Sequence, residues 1–289
     1  MGMMALWWTL LPVAGAAFLL GILRGPGRRE RERLLAAFTE GIDLPATAEV
    51  VALVDRRIRD RSVGQSAGGL AAVLAFALVL LLSPESVPLG VTGLSTMGII
   101  VAAMAAGGGI SALRQFPAPR GPDASRVARL DAPTLEDYVH PAWIWASAIG
   151  TVAAVCLAVW LFAGAVPNGP LDGGPSVAGI AALAALSLGG VVCAGILSRR
   201  LLGIPQPASD ERELQWDDGL RAYALRDIWI ASIALSSATI VAGSSVTFSA
   251  TSPGLYFGIL IGVAPVVLST LRASRRPGRR LWRNAGARS

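Results

Sequence analysis

The chain has 289 residues, of which 53% are hydrophobic and only 15% charged, with a mean hydropathy of +0.58 and a formal net charge of +6. A soluble domain carries about 25% charge, so the composition excludes an ordinary soluble fold and points to a polytopic membrane protein. The basic balance is explained by anionic lipid and by membrane orientation rather than by nucleic acid.

All 25 basic residues are arginine. This reads as codon usage of a GC-rich bacterial genome, although arginine also suits phosphate headgroups, which its planar fork binds bidentately. The predicted fold class is all-α, with seven transmembrane helices and short amphipathic cytoplasmic helices forming one membrane domain.

The first span is 5–23, with Trp7 and Trp8 at its outer end. Arginines follow this run rather than precede it, so it reads as a retained span and not a secretory leader. The first cytoplasmic segment, 24–66, holds a predicted helix that starts near Asp43 and Pro45, repeats Val50, Val51, Val54 and Ile58 at helical spacing, and offers Asp55–Arg59 and Arg56–Asp60 as i,i+4 pairs. The second and third spans are 67–82 and 89–113. Gly107, Gly108 and Gly109 weaken the helix near the end of the third.

The second cytoplasmic segment, 114–141, ends in a short helical stretch from Asp131, and Tyr138, His140, Trp143 and Trp145 cluster at the membrane boundary. The fourth and fifth spans are 142–166 and 176–197. In the third cytoplasmic segment, 198–227, Ser209 caps a helix with an acidic start (Asp210, Glu211, Glu213) and a basic end (Arg221, Arg226), an order that suits the helix dipole. The sixth span is 228–249 and the seventh 255–271, followed by the cytoplasmic tail 272–289.

The orientation follows from a count. With the N-terminus outside and the C-terminus inside, the four cytoplasmic segments hold 9, 4, 5 and 7 arginines, all 25 of them, and the outer turns hold only Glu85 and Asp172. A faint repeat accompanies this topology. Leu135, Tyr138, Ala146 and Ser147 recur 85 residues on as Leu220, Tyr223, Ala231 and Ser232, which suggests parallel hairpins of the kind found in transporter folds and elsewhere.

Candidate site residues fall into three groups. Span six is rich in hydroxyls. Ser232, Ser236, Thr239 and Ser244 either hydrogen-bond between helices or line a substrate path. Gly254, Gly258 and Gly262 share one helical face and form a packing or dimerisation surface, with a kink expected at Pro265. Arg275, Arg276, Arg279, Arg280 and Arg283 form a juxtamembrane patch for anionic lipid.

Catalytic signals are weak. Glu136, Asp137 and His140 lie one helical turn apart, but His140 is the single histidine and has no second catalytic partner. The two cysteines, Cys156 and Cys193, differ in depth by about nine residues, or ~14 Å, too far for a disulfide, so free and buried thiols are expected. No motif for a metal, cofactor or nucleotide is present.

The expected activity is therefore non-enzymatic. The first reading is a membrane subunit or scaffold that docks a cytoplasmic protein partner or a second copy of itself. The alternative is a permease or channel component, driven in an exporter by a separate ATP-hydrolysing subunit that grips the helix around Asp210 to Arg226.

Overall fold

The structure, a computed structural model, describes residues 3–42, 48–82, 91–115, 133–163, 177–204 and 211–247. Among these every element is helical: α1 Met3–Arg24, α2 Arg28–Ile42, α3 Ala48–Leu82, α4 Val91–Gln115, α5 Leu135–Tyr138, α6 Pro141–Phe162, α7 Val177–Gly203 and α8 Glu211–Thr247. Five helices are long and apolar enough to cross a membrane, and a sixth span results if α1 is counted with α2, to which it is joined through a 78° bend. The seventh predicted span, 255–271, lies outside the described residues.

The bend between α1 and α2 has a local cause. Gly25 adopts φ +65°, a conformation costly for any residue with a Cβ, and its N–H donates to the Gly21 carbonyl at 3.0 Å. Pro26 follows, and a proline cannot continue the helical ladder. The chain therefore leaves α1 and starts again at Arg28, with Arg31 N–H bonded to the Gly27 carbonyl at 2.9 Å.

Two helices differ from the sequence expectation in the same way. The predicted cytoplasmic helix and second span are one continuous helix, α3, of 35 residues. The predicted third loop is mostly helix as well: α7 runs on to Gly203, and α8 starts at Glu211 and continues unbroken for 37 residues. At 1.5 Å per residue these two helices are about 52 and 55 Å long, well beyond the ~30 Å of a hydrocarbon core. Their uncharged portions begin at Ser62 and Ile228. What precedes those positions, some 20 Å or more of each helix, extends past the apolar slab at the arginine-rich end.

α8 is the axis of the bundle. No residue from Leu214 to Val246 is exposed. Helix α4 packs along it from one direction and α6 and α7 from others, while α3 packs on α4 and reaches α8 through side chains at the arginine-rich end. Its neighbours approach through glycine: a Cβ added at Gly98 would lie 2.9 Å from that of Ala238, and one at Gly150 would lie 2.8 Å from Ser236 Oγ.

The triple glycine of α4 is a packing device, not a weak point. The helix is regular through it. A Cβ at Gly107 would collide with the Gly64 carbonyl of α3, one at Gly108 would lie 3.0 Å from Asp227 Oδ2, and one at Gly109 would lie 2.8 Å from Ile228 Cγ1. Gly64 and Gly68 complete this crossing on the α3 side, where a Cβ at Gly68 would collide with the Ala103 carbonyl. Small residues four apart let two backbones touch. Gly254, Gly258 and Gly262, the glycine face singled out in the sequence, lie outside the described residues, as does Pro265.

The thiols of Cys156 and Cys193 are free, as expected, but both are exposed. The expectation of burial is thus corrected. In a bundle whose axis is a single helix, α6 and α7 each keep one face for lipid, and the two cysteines fall on those faces.

Candidate functional site

The part of α8 before Ile228 carries Asp217, Asp218, Arg221, Arg226 and Asp227. The sequence placed Arg221 and Arg226 at the basic end of a helix in the third cytoplasmic segment and gave the three aspartates no role. The structure turns all five inward, against α3, α5 and α7. A small apolar core of Val54, Ile58 and Trp216 lies between α3 and α8, flanked by Leu35, Leu220 and Tyr223. Around it the charges pair.

Arg57 Nη1 donates to Asp217 Oδ1 at 3.3 Å, and Arg221 Nε donates to Asp217 Oδ2 at 2.9 Å. Arg221 also caps α7 by donating from Nη1 to the Leu201 carbonyl at 2.9 Å. Its side chain is 1% exposed, so this bond satisfies a helix-end acceptor that water does not reach. Tyr138 of α5 donates its hydroxyl to Asp218 Oδ1 at 2.8 Å. Closest to the apolar slab, Arg61 grips Asp227 with both Nε and Nη2, the latter at 2.8 Å from Oδ1. Planar guanidinium against planar carboxylate is the strongest pairing geometry open to these groups. Gly108 of α4 leaves room for that carboxylate.

An aromatic and cationic stack crosses the same level. The Arg61 and Arg226 guanidinium carbons each lie 5.9 Å from the Tyr223 ring centroid, and Arg226 lies 5.7 Å from that of Trp143. Helices α3 and α6 are thereby tied to α8 through a single turn.

The hydroxyls proposed as pathway-lining are buried and bonded. Ser232 lies 2.6 Å from Ser147 of α6, and Thr239 lies 2.9 Å from Ser187 of α7. Ser236 donates to the Ile233 carbonyl at 3.0 Å and Ser244 to the Ile240 carbonyl at 2.8 Å. Thr151 Oγ1, by contrast, is buried with no hydrogen-bond partner among the described residues.

Ser147 and Ser232, which the 85-residue spacing relates in sequence, meet across α6 and α8. Over 135–147 and 220–232 the two segments agree at the four positions of the repeat and differ at the other nine, and one of the differences changes the backbone. Pro141 stands where the second copy has Arg226, and the first copy breaks there into α5 and α6 while α8 runs through.

The remaining candidates disperse. His140 caps α6, its Nδ1 accepting from the Ala142 N–H at 3.1 Å, and is exposed. The Asp137 carboxylate accepts from the Thr134 N–H and hydroxyl at 2.7 and 2.9 Å. Glu136 is exposed. Of the boundary aromatics, Tyr138 and Trp143 are buried while Trp145 is 65% exposed. Asp55 pairs with Arg31 of α2 at 3.2 Å rather than with Arg59. Asp131, the predicted helix starts near Asp43 and Ser209, and the arginine patch Arg275, Arg276, Arg279, Arg280 and Arg283 lie outside the described residues.

No family model, curated protein or solved structure matches this chain. The reading of the site therefore rests on its geometry. Pairing residues some 160 positions apart (Arg57 with Asp217, Arg61 with Asp227) is the feature that sequence reasoning missed. The available signal was the polar half of each long helix: Val54, Arg57, Ile58 and Arg61 fall on one face of α3, and Leu214, Asp217, Asp218 and Arg221 on one face of α8.

Proposed function

We propose that this chain is an integral protein of the cell membrane of a GC-rich bacterium, with its N-terminus outside and its C-terminus inside. In this reading it is a non-enzymatic membrane subunit that docks a cytoplasmic protein partner or a second copy of itself. The observation that carries the reading is the direction in which its polar groups face. Inside the bundle Ser232, Ser236, Thr239 and Ser244 are all committed to bonds within the chain. At the arginine-rich end the Arg57–Asp217 and Arg61–Asp227 pairs face inward and brace α3 against α8, while Arg29 and Arg33 of α2 and Arg56 and Arg59 of α3 remain exposed beside the exposed Arg28–Glu32 pair. The free chemistry is thus a basic outer surface on a braced platform, which suits an acidic protein surface.

The test is affinity purification of the full chain in mild detergent, followed by mass spectrometry and native mass. A stoichiometric partner or a homo-oligomer is expected, lost when Arg56 and Arg59 are both changed to glutamate. A monomer with no partner would sink the proposal. The permease alternative requires the hydroxyl face of α8 to open. It gains ground if an ATP-hydrolysing subunit co-purifies and Ser236→Leu abolishes a transport phenotype.

A further inference from the structure

Among the described residues, the inward-facing arginines Arg57, Arg61 and Arg221 are paired, and Arg226 is not. Arg57 and Arg221 share Asp217, and Arg61 takes both oxygens of Asp227. Arg226 has neither an ion pair nor a hydrogen bond among the described residues, and its Nε is buried without a partner. Its neighbour Asp227 attracts it across space, but both oxygens of Asp227 are bonded to Arg61. A guanidinium donor buried without an acceptor is costly, so Arg226 calls for acceptor oxygens from outside the chain.

The surroundings of Arg226 select the kind of ligand. The guanidinium lies by the rings of Trp143 and Tyr223, at 5.7 and 5.9 Å, and those contacts restrict its orientation. The residue as a whole is only partly buried, which leaves room for a ligand at the two terminal nitrogens. A planar fork held in this way matches two oxygens of a phosphate. One turn along, Trp229 is 5% exposed and belongs to the same core as Trp143, and its Nε1 is a second buried donor without an acceptor among the described residues. Both unsatisfied groups are donors, so the matching ligand offers acceptors only.

Height settles the source. Arg226 is followed by Asp227 and then by the uncharged run that starts at Ile228. It therefore stands at the edge of the apolar slab, where headgroup phosphates lie. We propose that Arg226, oriented by Trp143 and Tyr223, is a binding site for the phosphate of an anionic membrane lipid. The site is separate from the protein-docking surface proposed above and does not depend on it.

The experiment is a native mass-spectrometric titration of the full chain in neutral detergent with phosphatidylglycerol, with phosphatidylcholine, and with inorganic phosphate alone. Phosphatidylglycerol is expected to bind in preference to phosphatidylcholine. Arg226→Gln should weaken that binding about fivefold, given roughly one arginine's contribution at an anionic surface, while Arg200→Gln, at an exposed position on α7, should leave it unchanged. Arg226→Lys keeps the charge without the planar fork and is expected to fold and to bind with intermediate strength, which decides the matter should the glutamine variant not fold. Equal binding by Arg226→Gln and the parent would overturn the site, and a lysine variant as tight as the parent would overturn the bidentate assignment. Inorganic phosphate that binds and displaces phosphatidylglycerol would overturn the lipid as its source.

Discussion

Asp227 is the residue on which the arginine-rich end is most exposed to a single change. Its side chain is 3% exposed and both its oxygens bind Arg61. Removing one partner of a buried pair costs about 3–5 kcal/mol, because the other charge stays behind. For Asp227→Ala we expect the lower end, about 3 kcal/mol, since Arg61 keeps 29% of its side chain exposed. Thermal unfolding in detergent should show the loss, and Arg61→Met combined with Asp227→Leu should recover most of it. The serine contact of the repeat is weaker. Ser147→Ala or Ser232→Ala should each cost about 0.6 kcal/mol, and a double-mutant cycle should give a coupling of that size. A cycle with no coupling would reduce the 2.6 Å contact to coincidence.

At the scale of elements, the positions of the apolar runs were legible and the ends of the helices were not. Hydropathy reports where side chains meet lipid, whereas a helix is continued by its backbone ladder and stops only at a breaker. Pro141 is such a breaker, and the start of α6 follows from it. No proline stands between Ala48 and Leu82 or between Glu211 and Thr247, so α3 and α8 run through the boundary that the change in composition marks. The buried ion pairs were illegible for a related reason. A charge run normally reads as a solvated face, and only the packing of α3 on α8 turns this one inward. The triple glycine was read by propensity, as a weakness, because its three facing neighbours are distant in sequence. Its role makes a prediction: Gly68→Leu or Gly107→Leu should force α3 and α4 apart and cost about 1–3 kcal/mol or more, the range for overpacking. Gly189→Leu, with open space around its Cβ position, should be tolerated. Melting temperatures of the three variants would decide between them.

At the scale of the whole molecule, the bundle has one charged end, and the proposed topology puts that end inside the cell. Reporter fusions after Ile42 and in the segment 164–176 should report inside and outside respectively. The opposite result would invert the assignment. The cysteines supply an independent check, because Cys156 and Cys193 lie on exposed faces of spanning helices. In intact membranes both should react with a lipid-soluble maleimide and resist a charged one. Labelling by the charged reagent would mean that these faces meet water. The long-range ion pairs also set an order of events. Arg57 and Arg61 leave the ribosome some 160 residues ahead of Asp217 and Asp227, which at 5–20 residues per second is roughly 10–30 s. For that interval the early helices have no α8 to close around. Closure of the bundle therefore waits for α8 itself, and a chain cut before Glu211 is expected to be a set of inserted helices without an axis, a substrate for quality-control proteolysis rather than a shorter version of the same protein.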